Sequence, residues 1–203
     1  MQRSSAMGMI GIVAGALALA LGCGSGEPER SMVPPRSAYT PQVPKLFSMS
    51  LEDNLVLGED ITPHTLDESI YIATMRHDID LMPDGLETMV GPRGVRLSGG
   101  QIQRSAGARM LTREAQLLVL DDVSSALDVE TEQIMWNRLF NARDNIAALV
   151  VSHRHAALAR ADRVIVMDDG EVVATGTAAE LQANSPAFRA IWEGALSSAA
   201  SRG

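Results

Sequence analysis

The spacing of apolar and polar positions changes twice along the chain. Met9 to Gly22 is an uninterrupted run of small and apolar residues, and no charge lies between Arg3 and Glu27. Glu27 to Ser37 then mixes three prolines with alternating charges, which supports neither helical nor strand periodicity and reads as a linker. From Ser37 onward, short apolar runs alternate with helical patterns. Ser37–Thr40 is a short strand stopped by Pro41. Ser50 with Asp53, and Thr65 with Glu68, set a hydroxyl three residues before a carboxylate, so each predicts a capped helix start. Gln116–Leu120 and Ala147–Val151 are continuous apolar runs of strand length, the pattern of parallel strands buried on both faces. Between them, Asp128 predicts the cap of a helix running to about Phe140. Arg163–Met167 and Glu171–Thr175, joined by Asp169-Gly170, predict a hairpin. Thr177 with Glu180, and Ser185 before Pro186, open the last two helices. The order is α/β, and the polar residues Asp121-Asp122 and Ser152-His153 fall where strands end. Open parallel sheets keep their ligand chemistry there.

Composition narrows the function. The chain has 203 residues, enough for one ordinary domain, and 46% are hydrophobic, so a packed core is expected rather than wholesale disorder. Seventeen basic residues against 25 acidic ones leave a net charge of −8, and there are only two Trp, two Tyr and three Phe. A nucleic-acid binder needs a basic field and stacking platforms, so that class is disfavoured. A single cysteine, Cys23, excludes an internal disulfide framework and a Cys-cluster zinc site. Lys45 is the single lysine.

Residues 1–26 have the layout of a secretory signal peptide: one arginine, an apolar stretch, then small residues. Ala20-Leu21-Gly22-Cys23 resembles a bacterial lipobox, which makes Cys23 a candidate for lipidation. Two alternatives stand beside it. Ala6 to Gly24 is long enough for a membrane-anchor helix, and a buried soluble helix is the plainer reading, opposed by the glycines within the run. Residues 27–36 are the linker.

The polar strand ends carry a family resemblance. Leu97-Ser98-Gly99-Gly100-Gln101 resembles the signature sequence of ATP-binding-cassette (ABC) ATPases, in which a serine and two glycines open a helix and offer bare N–H groups to a phosphate. Leu117-Leu118-Val119-Leu120-Asp121 resembles Walker B, Ser125-Ala126-Leu127-Asp128 the D-loop, and Val151-Ser152-His153-Arg154 the switch histidine. Tyr39-Thr40-Pro41-Gln42 with Leu46-Phe47-Ser48 resembles the Q-loop of exporter-type cassettes, and Gly85 to Gly94 the segment that precedes the signature in them. All six stand in the family's order between Ser37 and about Gly194.

The resemblance implies a truncated P-loop NTPase fold over residues 37–203, with a parallel sheet core and a helical subdomain at about 50–112. It implies ATP and Mg²⁺ as cofactors. Asp122, His153 and Gln42 would be the catalytic residues, and Asp121 with Gln42 would hold Mg²⁺. Ser98, Gly99, Gly100, Gln101, Asp121 and Asp128 would bind the nucleotide. The implied partners are a second ABC ATP-binding domain and a transmembrane exporter domain, so the chain is expected at a membrane. A working cassette would sit on the cytoplasmic face, whereas processing at Cys23 would put it outside the cytoplasmic membrane.

Two departures qualify this. The sequence holds no Gly-x-x-x-x-Gly-Lys-[Ser/Thr] phosphate loop, because Lys45 follows the Q-loop and Glu27-Pro28 follow Gly24-Ser25-Gly26. Asp122 stands where most of the family has glutamate, one methylene longer, so a reduced rate is expected. The strand feeding the phosphate loop is also missing, which predicts unpaired edges beside strands such as Leu117–Leu120. Two functions follow: an exporter ATPase module that needs a partner cassette, or a non-catalytic, lipoprotein-like remnant of an ABC gene.

Overall fold

The computed structural model describes residues 9–14, 36–142 and 146–200. Its elements follow the sequence order β1 Met9–Ala14, β2 Ser37–Thr40, α1 Leu51–Val56, α2 Pro63–Ile72, α3 Arg76–Asp80, α4 Gly99–Leu111, β3 Leu117–Asp121 and α5 Val129–Ala142. They continue with β4 Ala147–Val151, α6 His155–Leu158, β5 Arg163–Asp168, β6 Glu171–Gly176, α7 Ala178–Asn184 and α8 Pro186–Ala200. The six strands form one sheet in the order β2-β3-β4-β1-β5-β6. β2, β3 and β4 are parallel, in the register Ser37↔Leu117 and Leu117↔Ala147. β5 and β6 form the expected antiparallel hairpin, whose turn has φ +49° at Asp169 and +85° at Gly170. Positive φ at both turn residues matches the right-handed twist of the strands.

β1 overturns two expectations. The middle of the apolar run is a strand at Met9–Ala14, antiparallel to both neighbours, with Gly11 opposite Val150 of β4 and Val164 of β5. These six residues are therefore a strand, not the helix that the anchor-helix and buried-helix readings of the run expected. β-branched Ile10, Ile12 and Val13 and small Gly11 and Ala14 suit a strand paired on both sides, where every backbone N–H and C=O can find a partner. The same strand closes the gap expected in the sheet: β1 fills the space between β4 and β5, and Leu117–Leu120 of β3 is flanked by β2 and β4. Cys23 and residues 27–35 of the linker lie outside the described residues.

Local chemistry explains the helix starts. Ser50 caps α1, its Oγ accepting from the Asp53 N–H at 3.0 Å. The second helix opens earlier than Thr65: Thr62 is the cap, accepting from Thr65 N–H at 3.1 Å, and Pro63 leads the helix. Proline fits there because its φ is already helical and its missing N–H would have no partner. Thr177 and Glu180 form a reciprocal capping box at α7, as their spacing predicts.

Three apolar clusters hold these elements together. Leu118, Leu120, Ala148 and Val150 of the sheet pack with Met110 and Leu111 of α4 and Met135, Trp136 and Leu139 of α5. Full burial of side chains of this size is worth about 1.5–3 kcal/mol each, so this face dominates the stability. A second cluster, including Leu51, Leu55, Ile70, Met75 and Val90, knits α1 to α4 into a helical unit. The third joins Val164, Val166, Leu181 and Phe188. β3 and β4 are not buried on both faces as their apolar runs predict: Leu117, Val119, Ala147 and Leu149 keep partial exposure. The helices α4 and α5 cover the side on which Leu118 and Leu120 lie, and alternate residues of a strand point away from it.

Candidate functional site

The parallel strands deliver polar residues to one end of the sheet. Asp121 is the last residue of β3, and the Asp122 N–H donates to the Val151 carbonyl at 2.8 Å, tying that strand end to the end of β4. Asp122 thereby enters the left-handed region at φ +49°, an uncommon conformation for a side chain other than glycine. Gln42 reaches the same place from beyond β2, its Nε2 3.4 Å from Asp122 Oδ2. Asp122 is buried, and its Oδ1 has no hydrogen-bond partner among the described residues. Ser152 is buried and His153, which follows β4, is exposed. Gln42, Asp121 and Asp122 thus meet as the sequence predicts, and His153 lies two residues beyond the Val151 that Asp122 bonds.

Tyr39 joins this group and was not among the predicted site residues. Its hydroxyl donates to Asp121 Oδ2 at 3.2 Å, and partial desolvation together with the Asp121 carboxylate raises the phenol's pKa. Strand alternation was the available signal, since Tyr39 points to the opposite side from buried Ala38 and Thr40.

The second group lies at the start of α4. Ser98 is the cap, accepting from Gln101 N–H at 3.2 Å, while the Ser98 N–H donates to Gln101 Oε1 at 2.8 Å. Gln101 Nε2 also donates to Asp78 Oδ1 at 3.0 Å, and Arg104 pairs with the other oxygen of Asp78 at 2.7 Å. Both ends of the Gln101 amide are therefore engaged within the protein, as are the N–H and Oγ of Ser98, while Gly99 and Gly100 take no part in this set of bonds. Asp128 caps α5: its Oδ1 accepts from Thr131 N–H at 2.8 Å, and that bond lowers its pKa.

A loop connects the two groups. A Cβ at Gly100 would lie 3.1 Å from the Ala126 carbonyl, so the start of α4 presses directly on residues 125–127. Beneath them Arg154 makes a buried ion pair with Glu132 at 2.7 Å. Neither residue was predicted, because 22 residues of sequence separate them.

The donor set suits Mg²⁺ in part. Two adjacent carboxylates and a carboxamide oxygen are hard donors, and Asp122 Oδ1 is an acceptor without a partner. Among the described residues no three His, Cys, Asp or Glu side chains form a metal-holding group, so other positions around the ion would fall to water or phosphate oxygens. The phosphate side is less well provided. Lys45 lies elsewhere, on the wall of a cavity of about 750 Å³ between β2 and α4, with Arg109 and Arg113. Burial lowers the pKa of both arginines, and the Arg109 guanidinium donates to Asn54 and to the Lys45 carbonyl.

Comparison with known proteins gives this arrangement a context. No protein-family model matches the chain. A probable multidrug resistance ABC transporter ATP-binding/permease protein of Bacillus subtilis is 38% identical over 156 residues, 76% of this chain and 27% of the relative. An ATP-dependent lipid A-core flippase of Idiomarina loihiensis is 40% identical over 138 residues, 67% of this chain and 24% of the flippase. A solved bacterial Atm1-family ABC exporter with ATP bound superposes with a TM-score of 0.74 at 29% identity, over 78% of this chain and 28% of the exporter. The chain therefore has the α/β fold of an ABC-exporter nucleotide-binding domain and spans about a quarter of the length of these relatives. Among the described residues no helix is long and apolar enough to cross a membrane.

Proposed function

We propose that the chain is the C-terminal part of an ABC-exporter ATP-binding module and contributes half of an ATP site to a partner cassette. The observation that carries this reading is the start of α4, where Ser98 caps a 13-residue helix whose first turn offers backbone N–H groups and the positive end of the helix dipole to an anion. The acidic cluster at Asp121 and Asp122 is the other half-site. In the proposed assembly those carboxylates and Gln42 would hold Mg²⁺, and His153 would stand beside the reacting phosphate. Bound Mg²⁺ would supply charge neutralisation at the phosphates. With no phosphate-loop lysine or glycine cradle in its sequence, this chain's own acidic site would hold ATP weakly.

The partners are accordingly a second ATP-binding domain and a transmembrane exporter domain, at the cytoplasmic face of a membrane.

Mixing the chain with an intact exporter half tests the proposal. Gly99→Asp adds a negative charge to the helix start where the incoming phosphate is to sit, so the partner's ATPase stimulation should be abolished. Asp122→Asn alters a pocket without a phosphate loop and should leave the stimulation within about twofold, a loss below 0.5 kcal/mol. Equal loss in both variants would mean a competent site on this chain. No stimulation by the unaltered chain would favour the non-catalytic remnant.

A further inference from the structure

The loop between the two half-sites is bonded at both ends by side chains with no part in the proposed nucleotide contacts. Gln103, buried on α4, donates from Nε2 to Ser125 Oγ at 2.7 Å and accepts at Oε1 from the Ala126 N–H at 2.8 Å. On the other side, Arg154 donates from Nη2 to the Ser125 carbonyl at 2.9 Å, and from Nη1 to the Leu127 carbonyl at 3.2 Å and to Glu132 Oε2 at 2.7 Å. Glu132 Oε1 accepts from Ser124 Oγ at 2.6 Å, so the carboxylate that neutralises Arg154 also holds the loop's first residue. Arg154 is covalently next to His153, and its N–H donates to Ser152 Oγ at 3.1 Å. A continuous set of bonds therefore runs from the signature helix through residues 124–127 to the chain segment that carries His153.

We propose that Gln103 and Arg154 are positioning residues that set the placement of His153 from the start of α4, by way of the loop 124–127. This rests on the half-site reading above and deepens it. Ala126 is exposed beside Gly99, whose Cβ position lies 3.6 Å from the Ala126 Cβ, so a body seated on Ser98, Gly99 and Gly100 comes down next to the loop. Displacement of Ala126 is passed to Arg154 because Ser125 and Leu127, on either side of it, accept from one guanidinium. The planar fork makes that link stiff: its donors cannot follow two carbonyls that move apart. Burial of Arg154 and Glu132, with side chains 9% and 4% exposed, keeps water from replacing the lost bonds. Closure of a partner on the signature would thus place the histidine on this chain's own acidic site.

The test uses the free chain, without nucleotide or partner. The imidazole cross-peak of His153 is followed by NMR at a pH where the ring is neutral, identified by its disappearance in His153→Gln. Hydrogen exchange at the Ala126 amide, which donates to Gln103 Oε1, is read alongside. Gln103→Met keeps the length of the side chain and removes both loop bonds. It should shift the His153 cross-peak and speed Ala126 exchange about tenfold, the factor a lost hydrogen bond of ordinary strength gives. Gln103→Glu still accepts from the Ala126 N–H and the Ser125 O–H, and should leave both readings near those of the unaltered chain. Arg154→Lys keeps the charge but replaces the fork by one point, and should shift His153 as Gln103→Met does.

An unmoved His153 signal in folded Gln103→Met, or an equal displacement in Gln103→Glu, overturns the proposal. Should Gln103→Met fail to fold, Ser125→Ala removes one loop bond with little change in volume, and an unmoved His153 signal there is equally fatal. Because neither partner nor ATP takes part, a failed stimulation assay with these shifts intact would reject the half-site reading alone.

Discussion

Asp122 pairs a strained backbone with an unsatisfied side chain, so replacing it by glycine should make the protein more stable. Two costs are removed. A φ of +49° costs a residue with a Cβ about 1 kcal/mol, which glycine does not pay. The buried Oδ1 without a partner carries a desolvation penalty of about 1–3 kcal/mol. What is lost is small: the Gln42 contact is 3.4 Å long, near the limit of a useful hydrogen bond, and the bond from the Asp122 N–H to Val151 belongs to the backbone. Glycine adds about 0.5–1 kcal/mol of unfolded-state entropy. The net gain is about 1–3 kcal/mol, or a rise in Tm of about 2–12 °C for a domain of this size. Urea unfolding and thermal melting measure it directly. Asp122→Ala is the control, because it removes the orphaned oxygen but keeps the backbone strain, and its gain should be smaller by up to about 0.5 kcal/mol, the strain relieved less the entropy that glycine adds. If Asp122→Gly is less stable than Asp122→Ala by the full glycine entropy of about 0.5–1 kcal/mol, strain is not stored at this position; if it is less stable than the unaltered chain, the carboxylate has partners beyond Gln42.

Three further outcomes are expected. Titration of the chain with a fluorescent ATP analogue should give no saturable, Mg²⁺-dependent binding in the micromolar range, and such binding would refute the idea that the missing phosphate loop disables this half-site. Gly11→Pro, in a strand paired on both sides, should lower stability by at least about 1 kcal/mol through a lost ladder bond, and an unchanged urea midpoint would count against β1 as a member of the sheet. Asp128→Ala should cost about 1 kcal/mol at neutral pH as a lost helix cap. Because the folded-state pKa of Asp128 is lowered, its contribution is present above the unfolded value of about 3.9 and fades as pH falls through the folded one. The difference between the two proteins should therefore shrink below about pH 4, and a gap that widens in acid would contradict the cap.

Strand ends, helix caps and the order of polar motifs were written locally, and so could be read without coordinates. β4 begins and ends at the expected residues because an apolar run bounded by polar residues has only one way to bury itself in a sheet. Asp128 and Thr177 cap the helices their spacing announces, since a cap needs only residues within one turn. The meeting of Gln42 with Asp122 was likewise expected, through the order of motifs. What tertiary structure alone decided is where distant segments share an environment. Met9–Ala14 is different, because apolarity names no partner: its place as a strand between β4 and β5 could not be read from the run itself. Tyr39 finds Asp121 across 82 residues, and Arg154 finds Glu132 across 22. A hydrogen bond or ion pair acts over a few ångströms of space, and sequence spacing measures that distance only within one element.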